Sequence, residues 1–179
     1  MTMPVATSAQ TIGPYWHLID DPRVADLTRF GATGEKIVLT GRITDGADAL
    51  VTDACIELWQ ASPAADDLFP GWGRSATNAQ GEFRFTTIKP GPVPGRGNAM
   101  QAPHLAINIL ARGILTRLYT RAYFEGEPLN DVDPLLALVE EPERRTTLMA
   151  KPEGHAHGTA VWRMDIRLQG EAETVFIDL

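Results

Sequence analysis

Apolar and polar residues alternate with a period of two along most of the chain, the pattern of strands that bury one face and leave the other wet. Ile37, Leu39, Gly41 and Ile43 interleave with Val38, Thr40, Arg42 and Thr44 until Asp45-Gly46 turns the chain. Residues 54–60 follow, with Ala54, Ile56 and Leu58 facing away from Cys55, Glu57 and Trp59. Trp59, beside Gln60, reads as buried where one sheet packs on another. After a turn at 79–81, Phe83, Phe85 and Thr87 alternate with Glu82, Arg84 and Thr86, and Lys89-Pro90-Gly91-Pro92 ends the strand. From His104 the alternation resumes: Leu105, Ile107, Ile109 and Ala111 share one face, and His104, Ala106, Asn108 and Leu110 the other. Residues 115–124 form another strand. Residues 148–150 and 160–168 form two more around a flexible polar tip at 153–158, with Trp162, Met164, Ile166 and Leu168 on one face. Residues 174–179 add an edge strand.

Between these runs, residues 61–76 read as loop. Residues 89–103 form a long loop without apolar periodicity, a length that in compact domains usually has a function. One helix signal stands out: Asp133 can cap, Pro134 suits the first helical position, and Leu135, Leu136, Leu138 and Val139 make a stripe before Pro142. Many short strands, turn signals and little helix predict an all-β, antiparallel β-sandwich with one short helix and long loops. The whole chain, 1–179, reads as a single domain with an N-terminal arm over about residues 1–34. That arm carries Thr11-Ile12-Gly13-Pro14-Tyr15-Trp16, where Gly and Pro fix a turn and two rings follow. It cannot bury both rings itself, so they dock on their own domain or on a partner chain.

Composition narrows the classes. The formal net charge of -7 argues against a nucleic-acid or anionic-membrane surface, which needs a basic patch. Cys55 is the only cysteine, which removes internal disulfides and cysteine zinc sites and suits a reducing compartment. With no basic, apolar leader and no run long enough to span a bilayer, a soluble cytoplasmic protein is expected.

The candidate chemistry is sparse. His155 and His157 have ligand spacing but lie between Gly154 and Gly158, where a solvated turn is expected. Arg117, Arg121, Arg144 and Arg145 read as exposed charges or interface residues, Tyr119 and Tyr123 as strand packing, and Arg112 as a charged strand end before Gly113. Ser62 and Ser75 lack the histidine and carboxylate of a nucleophilic triad. His104 alone reads as a core histidine held by a hydrogen bond.

Several separated motifs nevertheless agree in order: Leu39-Thr40-Gly41-Arg42-Ile43, Ile56-Glu57-Leu58-Trp59-Gln60-Ala61, Gly81-Glu82-Phe83, Thr87-Ile88-Lys89-Pro90-Gly91, Ala102-Pro103-His104 and Tyr123-Phe124. Together they resemble the intradiol ring-cleavage dioxygenases, from Thr11 to the C-terminus. The resemblance implies the sandwich fold and a non-haem Fe(III) centre, which iron-bearing members hold with two tyrosines and two histidines; phenolates suit the ferric ion and neutral imidazoles complete its shell. At the matching positions this chain has Val93 for one tyrosine, no tyrosine in 61–73 for the other, and His104 followed by Ala106 for the histidine pair. A lone His104 cannot hold ferric iron.

The family also contains mixed assemblies in which an iron-free α chain completes the pocket of an iron-bearing β chain. The resemblance therefore implies no metal on this chain, Fe(III) on a partner β subunit, and a higher hetero-oligomer that cleaves 3,4-dihydroxybenzoate with O2 to 3-carboxy-cis,cis-muconate. By the same resemblance Thr11, Gly13, Pro14, Tyr15 and Arg112 line the substrate pocket, Arg112 facing the substrate carboxylate. Two rival readings are a non-catalytic β-sandwich binding module and a self-sufficient metalloenzyme using His104 with His155 or His157.

Overall fold

The computed structural model describes Trp16, Leu18, residues 20–95 and residues 97–178. The alternating runs form β1 (Lys36–Thr44), β2 (Cys55–Trp59), β3 (Trp72–Ala76), β4 (Glu82–Ile88), β5 (Val93–Pro94), β6 (Met100–Gln101), β7 (His104–Leu110), β8 (Leu118–Phe124), β9 (Met149–Ala156), β10 (Thr159–Arg163) and β11 (Ile166–Arg167). Along the main sheet the order is β11-β1-β10-β9-β8-β7-β2-β3, with β4 on β1 as well. Strands β10 and β11 share one edge of β1 in succession, pairing with Ile37–Thr40 and then with Ile43 and Thr44, while β4 takes the other edge.

The expected antiparallel arrangement is not what forms. The sheet is mixed, because β1 pairs in parallel with β10 and β11, and β8 with β9. Parallel neighbours need a long crossover, and residues 125–148 between β8 and β9 supply one, folded into single turns of 3-10 helix and one short α-helix, α1 (Pro142–Arg145). The sequence stripe at 134–139 is thus not a helix but a 3-10 turn at Leu136–Leu138. Too few residues separate Pro134 from Pro142 to propagate a helix once nucleated, and Val139 is already extended at φ -83°, ψ 102°.

The inward faces of the strands close on one core in which Ile37, Leu39, Ile56, Leu58, Phe85, Leu105, Ile107 and Ile109 are fully buried. Each such side chain contributes about 1.5–3 kcal/mol relative to exposure. Phe124 meets Trp162 edge-on at 5.0 Å. At Gly41 the β1 backbone passes so near β11's approach that a Cβ would overlap the Met164 carbonyl oxygen and lie 2.5 Å from the Phe83 ring.

Four local expectations are corrected. Trp59 is not buried but 50% exposed, since it shares the outward face with Glu57 while Ile56 and Leu58 point in. Residues 72–76, expected as loop, are strand β3. The flexible tip at 153–158 is mostly β9; only His157 (φ 51°) and Gly158 (φ 82°) make the turn, a pair of left-handed residues suited to a two-residue hairpin. Among the described residues 174–178 no strand forms, although the Ile177 amide donates to the Tyr119 carbonyl at 2.8 Å.

Candidate functional site

On the outward face of β2, β7 and β8, the register sets Trp59 opposite Ala106 and Ala106 opposite Arg121, with His104 opposite Tyr123 and Asn108 opposite Tyr119. The methyl group of Ala106 leaves room beside it for the long Arg121 side chain. Its guanidinium does not reach out to solvent as the sequence suggests. Nη1 donates to Gln101 Oε1 at 2.7 Å and to the Tyr123 hydroxyl at 3.3 Å, and Nε donates to the Tyr119 hydroxyl at 3.2 Å. The Tyr123 hydroxyl in turn donates to Asp133 Oδ1 at 3.2 Å. Asp133, 1% exposed, also accepts from the amides of Ala102, Leu135 and Leu136, so the predicted cap residue ties the crossover to the loop before β7.

His104 lies in the same network. Its ring is 5.5 Å from that of Tyr123, and Nδ1 is 2.7 Å from the Ala102 carbonyl, which can only accept, so Nδ1 carries the proton. Burial, and then the Arg121 guanidinium, hold His104 below the usual imidazole range. Burial likewise pushes the Tyr123 phenol well above its usual range. The guanidinium is therefore flanked by a neutral imidazole, His104, and a phenol that keeps its proton, Tyr123.

These residues do not fit the Fe(III) that the resemblance implies. Ferric iron needs anionic oxygen donors; here the Tyr123 oxygen is fully engaged by Arg121 and Asp133, and a fixed cation sits beside Ala106. Val93 lies in the β5–β6 ribbon opposite Gln101 and offers no donor. Among the described residues, no group of three or more His, Cys, Asp or Glu is placed to share a metal ion. The register also separates the histidines. His104 is level with Tyr123 and so with Met149, and His155 lies six residues further along β9, about 20 Å away at the strand rise.

At the far end of β7 a second set of residues meets. Arg112, with a side chain 74% exposed, forms an ion pair with Asp53 in the loop before β2. Trp16, 8% exposed, docks on its own chain and donates from Nε1 to the Asp53 carbonyl at 3.2 Å. Asp53 therefore joins Arg112 to the root of the N-terminal arm. Thr11, Gly13, Pro14 and Tyr15 themselves lie outside the described residues. Arg112 follows His104 by eight residues, about 25 Å of extended chain, so the two belong to different sites. Asp53 and Gln101 carry no sequence signal of their own. Arg121 carries one only as an arginine registered opposite a small residue.

The family model described as Dioxygenase matches residues 19–170, and the chain belongs to that family. Among curated relatives it is 39% identical to the protocatechuate 3,4-dioxygenase alpha chain of Pseudomonas putida over 96% of both chains. It is 37% identical to the alpha chain of the same name from Burkholderia cepacia over the full length of both. With the protocatechuate 3,4-dioxygenase beta chain of Burkholderia cepacia it shares 34% identity over 93% of this chain and 77% of that one. Among solved structures it resembles the dioxygenase domain of a dioxygenase carbohydrate-binding protein fusion from Streptomyces sp. SirexAA-E, at TM-score 0.65 and 27% identity, covering 93% of this chain and 97% of that one.

Proposed function

We propose that this chain is the iron-free α subunit of a hetero-oligomeric protocatechuate 3,4-dioxygenase, a single β-sandwich domain with an N-terminal arm. With a β subunit that holds the non-haem Fe(III), it forms a cytoplasmic enzyme that opens the ring of 3,4-dihydroxybenzoate with O2 to give 3-carboxy-cis,cis-muconate. Near-full-length similarity to two alpha chains, and weaker similarity to a beta chain, supports this division. The observation that carries it is the junction at Asp53, where Trp16 at the root of the arm and Arg112 are held by one residue. Thr11, Gly13, Pro14 and Tyr15 then line the pocket of the neighbouring β subunit beside Arg112.

In this reading Arg112 binds the substrate carboxylate. An ion pair as exposed as Arg112–Asp53 contributes at most about 1 kcal/mol, so exchanging Asp53 for a substrate carboxylate is inexpensive. Asp53 meanwhile keeps the guanidinium near its working position and supplies no chemistry of its own. Trp16 fixes where the arm leaves the domain.

The test is to produce the chain with an iron-bearing homologue, copurify the two and measure iron in each. Replacing Arg112 by Met is expected to raise KM for 3,4-dihydroxybenzoate roughly tenfold, the range of one charge-assisted hydrogen bond, and to leave catechol, which has no carboxylate, unaffected. An unchanged KM refutes the role of Arg112. Stoichiometric iron and turnover in this chain alone refute the division of labour.

A further inference from the structure

Beside the Arg121 network lies a cleft of about 600 Å³ whose walls come from the crossover and the C-terminal segment: Leu135, Leu138, Val139, Val175 and Phe176. Its size falls within the range of small-molecule sites, roughly 300–1,000 Å³. Among the described residues one strongly charged donor borders it, Arg121. That guanidinium spends Nε and Nη1 on the Gln101 side-chain oxygen and the Tyr119 and Tyr123 hydroxyls, and neither Nη2 nor any other of its nitrogens meets a carboxylate among the described residues. Asp133 reaches it only through the Tyr123 hydroxyl, and both its oxygens accept other hydrogen bonds.

We infer that this cleft binds a small aromatic monocarboxylate, of benzoate size, with its carboxylate on Nη2 of Arg121 and its ring against the apolar wall. A half-buried guanidinium that meets no carboxylate among the described residues favours an anion, and its planar fork matches a carboxylate. The wall of Leu, Val and Phe side chains favours an apolar body over a sugar or a phosphate ester. Asp178 also borders the cleft, and its negative charge selects against a second anionic group on the ligand. The inference stands on the geometry around Arg121 and is independent of the role given to Arg112.

Titrating the full chain with benzoate, followed by calorimetry or ligand-observed NMR, tests it. One saturable site is expected. Benzamide, of the same shape but uncharged, is expected to bind at least roughly tenfold more weakly. Arg121→Met is expected to weaken benzoate binding by a similar factor in a chain whose far-ultraviolet circular dichroism is unchanged. Because the benzamide comparison uses the unaltered chain, the test survives if that variant does not fold. No saturable binding, benzamide binding as well as benzoate, or benzoate binding that survives Arg121→Met but is lost on Arg112→Met each overturn the inference.

Discussion

Replacing Asp133 by Asn probes the hinge of the whole crossover without changing its shape. Oδ1 accepts from Leu135 N at 2.8 Å, Leu136 N at 3.0 Å and the Tyr123 hydroxyl at 3.2 Å, and Oδ2 accepts from Ala102 N at 2.8 Å. An amide keeps only one oxygen. In the better orientation the oxygen stays on the side of the three donors, and the new NH2 faces the amide of Ala102, which is fully buried and loses its acceptor. One charge-assisted hydrogen bond is then lost, each such bond contributing about 1.5–3 kcal/mol, and one buried donor is left unsatisfied. Relief from burying a carboxylate offsets part of this. The expected net loss is about 2–4 kcal/mol, read as a lower urea midpoint at unchanged slope and, for a chain of this size, a fall of about 5–15 °C in Tm. A loss below about 0.5 kcal/mol, the range of neutral surface changes, refutes the view that Asp133 organises the crossover.

Gly41→Ala forces a methyl group onto the Met164 carbonyl oxygen and the Phe83 ring. The Met164 amide is itself bonded to the Thr40 carbonyl at 2.9 Å, so the strand cannot withdraw cheaply; a loss of about 3 kcal/mol or more is expected, seen as insoluble expression or early melting, and near wild-type melting refutes it. His104 predicts a pH dependence: its folded pKa lies below the unfolded value of 6.5 because of burial and Arg121. Above that value the residue is neutral in both states and its contribution is complete. As pH falls the unfolded chain takes the proton first, so stability drops until the folded pKa is passed. Urea midpoints measured from about pH 7.5 down to about pH 5.5 should decline, and His104→Gln should flatten the decline; an equal slope in both proteins refutes the assignment.

The strands that alternation reveals are those whose inward residues are large. β1, β4 and β7 fall within a residue or two of their pattern because Leu39, Phe85 and Ile107 each announce a buried face. β3 is silent because its inward residues are Gly73 and Ser75. A Cβ at Gly73 would overlap Leu27 and lie 2.8 Å from the Val24 carbonyl oxygen, so the neighbouring segment fills the space a side chain would occupy. The parallel pairings are equally invisible, since they depend on where a 24-residue crossover, residues 125–148, returns the chain. In the site, the departures at Val93 and Ala106 are legible through resemblance. The placement of Arg121 is not, because an arginine on an outward face reads as solvated until the register sets a methyl group opposite it. Nor is Asp53, whose part comes from two residues 37 positions before and 59 positions after it in the chain, Trp16 and Arg112.

The guanidinium lodged next to Ala106 sets the sign of charge on this face of the sheet against a bound cation. An imidazole placed at 106 would lie directly across from the residue that carries a permanent positive charge, and exchanging Arg121 alone would strip Gln101, Tyr119 and Tyr123 of a shared donor. With Val93 and Ala106 lacking donor atoms and residues 61–73 lacking a tyrosine, a cation centre of that kind on this face takes several concerted substitutions, and no single one supplies it.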